Sequence, residues 1–231
     1  MVPLRHLWVA MATPPSPPTA PRPLDRERLA SALSTIAQVD ADVDRELARI
    51  GLPAPRVRPP GFATLLRVVV GQQLSVRAAA AIWRRLEARL GGSVDARSFS
   101  ALDDAALREV GFSLRKAAYA RGLARAIEDG SLPLDALAAL DRERAIAAIT
   151  ALPGFGRWSA EIYLLFALGD ADAFPADDLA VQVALQRLKR LPGRPRPAEA
   201  RALVEPWAPW RGAGAIFLWH LYGSATLDER G

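Results

Sequence analysis

The sequence contains no cysteine and only two histidines, His6 and His220, in 231 residues. The missing cysteine excludes disulfides, iron–sulfur clusters and zinc sites built on thiolates. The two histidines lie too far apart in the chain to suggest a metal site. No nucleophile-elbow motif accompanies His220, so nothing supports a Ser-His-Asp triad. These absences remove most hydrolase mechanisms and leave carboxylate chemistry.

Long apolar runs are missing as well, and no segment approaches the length of a membrane span. Residues 7–12 are apolar but too short for a signal peptide. We therefore expect a protein of a bacterial-type cytoplasm or nucleoid with no membrane partner. Residues 1–23 are rich in proline and are expected to form a disordered leader, with Met11 as a second candidate start of translation.

Lysine is nearly absent too, since the basic residues other than Lys116 and Lys189 are arginines. The formal net charge is +5 and the isoelectric point is about 10.3. A mild basic excess is compatible with DNA binding but is weak support by itself, because many basic proteins bind no nucleic acid.

No strand-like alternation is present, and alanine, leucine and arginine, all good helix formers, dominate the chain. The sequence therefore predicts an all-α protein with about ten short helices. They are expected at 25–50, 61–70, 76–90, 101–110, 114–129, 141–150, 159–168, 178–190, 198–206 and 211–223.

A Pro-Gly-x-Gly turn at 153–156 lies between two helical patterns, and two carboxylates, Asp177 and Asp178, follow it. Free backbone N–H groups at a helix N-terminus bind phosphate readily. We expect Asp177 to cap the next helix and Asp178 to lie in its first turn. A phosphate anchor with an acid nearby suggests an enzyme that acts on nucleic acid. The alternative is an ordinary glycine-capped turn between helices.

Four motifs in order give the chain a resemblance to the HhH-GPD superfamily of DNA glycosylases, in its AlkA-type DNA-3-methyladenine glycosylase II branch. They are Gly-Gln-Gln-Leu-Ser at 71–75, Gly-Arg-Trp-Ser-Ala at 156–160, Pro-Ala-Asp-Asp at 175–178 and Pro-Trp-Arg at 209–211. The resemblance implies a two-lobed helical fold with the active-site cleft between a helix-hairpin-helix lobe, 61–190, and a terminal lobe, 24–60 with 191–231. It matches the short form without an N-terminal β domain.

The resemblance also implies a catalytic role for Asp178, whose carboxylate would stabilise positive charge on the sugar or orient the attacking water. Trp158 stands where relatives that also cut the strand carry a lysine, so we expect a monofunctional enzyme without lyase activity. Trp219 is expected to stack on the extruded base. Trp158 and Tyr163 are further candidates for the pocket wall, although Tyr163 is equally compatible with the core. Electron-rich indoles attract the cationic N-alkylated purines that this branch removes.

The implied DNA contacts fall into a hairpin, a wedge and basic side chains. The hairpin glycines would expose N–H groups to one phosphate, and the wedge would enter the stack when the base leaves. These candidates are Gly154, Gly156, Arg157, Gln72, Gln73, Leu74 and Arg211, with Arg115 and Lys116 as weaker ones. The alternative for the wedge is a polar turn with Leu74 pointing inward.

No cofactor is expected to be required, and no iron–sulfur cluster. The resemblance implies a structural Na⁺ or K⁺ on the hairpin carbonyls of Thr150, Leu152 and Phe155. Ile162 departs from the family pattern, which has a tyrosine there.

Two other functions stay open: a glycosylase for a deaminated or oxidised base, and a non-catalytic module that binds DNA damage. The expected partner is damaged double-stranded DNA, bound by a monomer.

Overall fold

The computed structural model describes residues 22–228, with side chains up to Ser224, and this part of the chain contains helices and no strand. The predicted all-α fold is confirmed. The helices are α1 (Arg26–Val39), α2 (Ala41–Ile50), α3 (Phe62–Gly71), α4 (Val76–Arg89), α5 (Ala96–Ser100), α6 (Asp104–Val110), α7 (Leu114–Glu128), α8 (Leu134–Leu137), α9 (Arg142–Thr150), α10 (Arg157–Phe166), α11 (Leu179–Leu188), α12 (Pro197–Leu203) and α13 (Arg211–Asp228), with a 3₁₀ turn at Glu205–Trp207. The expected leader lies almost wholly outside the described residues.

The helix count differs from the prediction because one expected helix is divided by an aspartate cap, and because the short α5 and α8 lie outside the predicted helices. Asp40 interrupts the pattern over 25–50, since its side chain accepts from the N–H groups of Asp42 and Val43 and begins α2. Asp103 caps α6 in the same way, so 101–110 loses its first turn and α5 precedes it. The short α8 was not predicted. Apolar periodicity continues across such breaks and therefore hides them.

Asp40 also joins distant parts of the chain. Its carboxylate, on a residue that is 8% exposed, accepts from Trp207 Nε1 at 2.7 Å and from Lys189 Nζ at 2.6 Å. A buried carboxylate is stable only when it is paired and hydrogen-bonded. These bonds fix the junction of α1 and α2 against α11 and the 3₁₀ turn.

The helices pack as two lobes around a continuous core. The hairpin lobe brings together α3, α4, α7, α9 and α10, and the terminal lobe brings together α1, α2, α12 and α13. Helix α11 packs on α13, α2 and α12. All three of these partners belong to the terminal lobe, and Asp178 directly precedes α11 in the chain. The lobe boundary at 190 stays a prediction.

Within residues 22–228, no helix is both long enough and apolar enough to cross a membrane.

Candidate active site

Three N–H groups hold the carboxylate of Asp178. Trp219 Nε1 donates to Oδ1 at 3.0 Å, and Trp158 Nε1 donates to Oδ2 at 3.0 Å. The backbone N–H of Val181 donates to Oδ1, also at 3.0 Å. Three donors on one carboxylate fix its orientation. The two indoles come from opposite lobes, Trp158 from α10 and Trp219 from α13.

Asp178 itself is the N-cap of α11, so the expected cap at Asp177 is wrong. Asp177 is exposed, and its nearest ionic neighbour is Arg201 at 3.9 Å. The dihedral angles of Asp178 are extended, which lets its side chain turn back to the N–H of Val181. Capping and the indole contacts therefore use the same carboxylate. Its negative charge also lies at the positive end of the helix dipole.

Trp219 is half-buried and contacts two further side chains. The Phe166 ring lies 5.5 Å away between centroids and is tilted by 47°. The Arg56 guanidinium lies 5.1 Å over the indole. No motif or spacing singled out Arg56, which lies in the proline-rich connector between α2 and α3. Its proximity to the site is visible only in the fold.

Tyr163, the third expected wall residue, is fully buried. Its hydroxyl accepts from the backbone N–H of Gly61 at 3.0 Å, which fixes the chain just before α3. The structure therefore places Tyr163 in the core, the second of the two roles open to it. Ile162, the departure from the family pattern, is also buried, with 8% of its surface exposed.

The hairpin turn joins α9 to α10 through two glycines with different surroundings. Gly154 has φ +88°, and a Cβ there would lie 2.2 Å from the ring of Tyr119. Gly156 has ordinary φ −94°, and a Cβ there would meet nothing within 4 Å. Gly156 begins α10 without a side-chain cap, so no capping side chain satisfies the first N–H groups of that helix.

Arg157, expected to contact phosphate, is held by two carboxylates of the protein. It donates to Glu143 at 2.6 and 2.9 Å and to Glu161 at 2.9 Å. The hydrogen bond from Arg157 lowers the pKa of Glu143. Glu161 is 1% exposed, and burial raises its pKa although Arg201 and Arg157 act against that. Arg157 is thus an ion-pair residue in this conformation, and its contact with phosphate stays a prediction.

Arg211 is likewise held by carboxylates of the protein, and its contact with DNA stays a prediction. Its Nε donates to Asp172 at 2.7 Å, and its Nη1 donates to Glu205 at 3.2 Å. Burial acts to raise the pKa of Asp172, but the hydrogen bonds from Arg211 bring it below its ordinary value. The guanidinium therefore fixes the start of α13, the helix that carries Trp219.

The expected wedge is a turn between α3 and α4. Gln72 Nε2 donates to the carbonyl of Gly154 at 2.8 Å, so the wedge turn and the hairpin are in direct contact. Gln73 has φ +55°, in the left-handed region, and is exposed. Leu74 is 40% exposed and does not point inward. An exposed apolar side chain beside a strained residue is suited to insertion between bases.

Lys116 supports this turn from α7. Its ammonium donates to the carbonyls of Val70 and Gln72, each at 2.8 Å, at the C-terminal end of α3. Cations at a helix C-terminus satisfy its free carbonyls and its dipole. Burial, with the charge of Arg115, lowers the pKa of Lys116. Its two bonds make Lys116 a positioning residue for the turn that is expected to act as the wedge.

Replacing Lys116 with Met is expected to weaken binding of lesion-containing DNA several-fold, because the wedge turn loses two charge-assisted hydrogen bonds. The measurement is duplex affinity together with the fluorescence of a 2-aminopurine next to the lesion, which reports unstacking. Arg115→Met removes the same charge without touching the α3 carbonyls and is the control. Equal losses of affinity and unstacking in both variants would contradict a positioning role.

In the part of the chain that the structure describes, no group of three or more His, Asp or Glu side chains could hold a metal ion.

The model of the HhH-GPD superfamily of base excision DNA repair proteins matches residues 66–209. The chain is 30% identical over 195 residues to DNA-3-methyladenine glycosylase 2 of Escherichia coli, covering 78% of this chain and 66% of that protein. It is 34% identical over 161 residues to DNA-3-methyladenine glycosylase 1 of Schizosaccharomyces pombe, covering 68% and 71%.

Solved structures give the same grouping. The S. pombe 3-methyladenine DNA glycosylase Mag1, in complex with abasic DNA, superposes with a TM-score of 0.77 at 30% identity and covers 85% of this chain and 97% of that one. A DNA-3-methyladenine glycosidase from Bacillus halodurans superposes with a TM-score of 0.75 at 27% identity, covering 90% and 94%.

Proposed function

Because the chain belongs to the HhH-GPD superfamily of base excision DNA repair proteins, we propose that it is a monofunctional DNA glycosylase for alkylated purines. Its substrates are bases of the 3-methyladenine and 7-methylguanine type, and its reaction is hydrolysis of the N-glycosidic bond. The observation that carries the proposal is the Asp178 carboxylate, held by two indoles where the lobes meet. The names of the E. coli and S. pombe relatives support the substrate class.

Asp178 acts on the sugar. As the bond to the base breaks, positive charge develops on the sugar, as it does in glycoside hydrolysis. A carboxylate that is already oriented stabilises that charge without reorganising. Three of its acceptor positions are occupied by Trp158, Trp219 and Val181, so electrostatic stabilisation suits it better than taking a proton from water.

An N-alkylated purine needs little further help to leave, because it already carries a positive charge in the nucleotide. The indoles of Trp219 and Trp158 provide electron-rich surface for such a base. The only described histidine, His220, lies against the carbonyl of Ile50 and not against Asp178. A mechanism without an acid for the leaving group agrees with this arrangement.

We expect no lyase activity because no lysine is free to form a Schiff base with the sugar. Trp158 cannot form a Schiff base, and both lysines of the chain are engaged elsewhere. Lys116 donates to the carbonyls of α3, and Lys189 donates to Asp40 and Asp42. An amine held in such bonds is not free to attack the sugar. The product is therefore an abasic site in an intact strand.

The hairpin grips the DNA backbone through the uncapped N-terminus of α10, and Leu74 fills the stack after the base is extruded.

The carbonyl oxygens of Thr150, Leu152 and Phe155 are hard ligands, the kind suited to Na⁺ or K⁺. The bond from Phe155 N–H to the carbonyl of Leu152 is long, 3.2 Å, and leaves a lone pair on that oxygen. A cation there would add positive charge near the phosphate. In this proposal the protein binds damaged duplex DNA. Its active form is a monomer, and it acts in the cytoplasm.

The test is release of free bases from methylated duplex DNA, with strand integrity followed in the same reaction. The expected result is free 3-methyladenine or 7-methylguanine with an unbroken strand. Strand cleavage at the abasic site without added base would overturn the monofunctional assignment. Selective binding of the lesion with no release of any base would favour a binding module instead.

A further inference from the structure

The connector between α2 and α3 carries a side chain that lies over Trp219, which together with Trp158 and Asp178 forms the candidate base pocket. Arg56, near its middle, lies with its guanidinium 5.1 Å over the Trp219 indole. This is an approach at which a cation is attracted to an aromatic face. A base stacked on that face would have to share the region with this guanidinium.

The connector is anchored on both sides of Arg56. On one side Pro53 is buried. On the other side Arg58 N–H donates to the carbonyl of Phe166 at 2.9 Å, and Gly61 N–H donates to the Tyr163 hydroxyl at 3.0 Å. Prolines in this segment stiffen it further. The Arg56 side chain can swing aside for a base, but its backbone keeps the charge close to the pocket.

Arg56 also experiences the charge of Asp178. Arg56 is exposed, and partial desolvation lowers the pKa of its guanidinium, while the Asp178 carboxylate acts in the opposite direction. The guanidinium stays charged at any physiological pH. The negative charge of Asp178 and the positive charge of Arg56 therefore lie close to the same site, and a stacked base interacts with both.

We propose that Arg56 sets the preference of this pocket between cationic and neutral damaged bases. The inference rests on the glycosylase function proposed above and names the residue that tunes its substrate range. Asp178 alone would favour a cationic purine. Arg56 repels that positive charge, whereas it can stack on a neutral purine, as guanidinium planes do on bases. The wild-type pocket consequently accepts neutral lesions better than a pocket with Asp178 alone.

The experiment compares two duplexes that differ by one charge at nearly constant shape. One contains 7-methylguanine and the other 7-deaza-7-methylguanine, both on 2′-fluoro sugars that resist cleavage. Affinities are measured by fluorescence anisotropy for the wild type, Arg56→Ala and Arg58→Ala. In Arg56→Ala the ratio of cationic to neutral affinity is expected to rise about 3- to 10-fold. Arg58→Ala removes an equal charge from the same connector and should leave the ratio unchanged.

A ratio that changes less than twofold in Arg56→Ala, or that falls, overturns the inference. A rise of equal size in Arg58→Ala also overturns it, because the effect would then be general. Wild-type protein that binds neither duplex more tightly than undamaged DNA overturns it as well. Binding needs no turnover, so failure of the proposed glycosylase reaction is recognised separately, as absence of base release from ordinary 7-methylguanine DNA. Melting temperatures verify that each variant is folded.

Discussion

Asp178→Asn is expected to slow base release by about 10²- to 10³-fold, because the oriented negative charge beneath the sugar is lost. The fold should persist, since asparagine is as good an N-cap as aspartate and can accept from the N–H of Val181. The measurement is single-turnover release of 7-methylguanine from a defined duplex. Asp177→Asn is the matched control, because this neighbour is exposed and makes neither indole contact. It should retain nearly full activity.

The hydrogen bonds from the two indoles to Asp178 allow a second experiment. An asparagine at 178 has one oxygen and one NH₂ group. If the oxygen accepts from the N–H groups of Val181 and Trp219, the NH₂ group faces the indole N–H of Trp158. Two donors facing each other cost about 1–3 kcal/mol when buried. Adding Trp158→Phe to Asp178→Asn removes the conflicting donor, so it should recover stability without recovering activity. Asp178→Asn with wild-type rates, or Asp177→Asn with an equal loss, would contradict the assignment of the catalytic carboxylate.

Local signals in the sequence predicted much of this site. The Pro-Gly-x-Gly turn and the helices on either side of the hairpin depend on neighbours within a few residues. The motifs were also in the correct order to indicate Asp178. The cap itself was misplaced by one residue, because two adjacent aspartates satisfy the same local rule.

The remaining features depend on long-range contacts, which leave no periodic pattern. Arg157 and Arg211 stand at helix starts, where a free arginine would contact phosphate. Their partners Glu143 and Asp172 lie 14 and 39 residues away in the chain. The position of Arg56 over Trp219 depends likewise on how the connector crosses the core. Sequence alone can therefore identify such residues as charged, but not as paired or as part of the pocket.

Gly154→Ala is expected to destabilise the protein by about 2–5 kcal/mol, which combines the penalty of left-handed φ with overpacking against Tyr119. For a chain of this size this corresponds to a fall in Tm of about 5–15 °C. Gly156→Ala should change stability by about 1 kcal/mol or less, because its φ is ordinary and its surroundings are open. Its methyl group would instead stand where a phosphate approaches the N-terminus of α10, so duplex affinity should fall about 10-fold.

The two hairpin glycines thus separate folding from DNA binding within one turn. Thermal melts should single out Gly154→Ala, and binding to abasic duplex should single out Gly156→Ala. A double-mutant cycle with Tyr119→Ala distinguishes the two causes at Gly154: steric overlap is relieved when the ring is removed, and the φ penalty is not. Wild-type affinity in Gly156→Ala would mean that no phosphate rests on this turn. The hairpin would then be a packing element between α9 and α10, and the grip on DNA would have to come from the wedge side of the cleft.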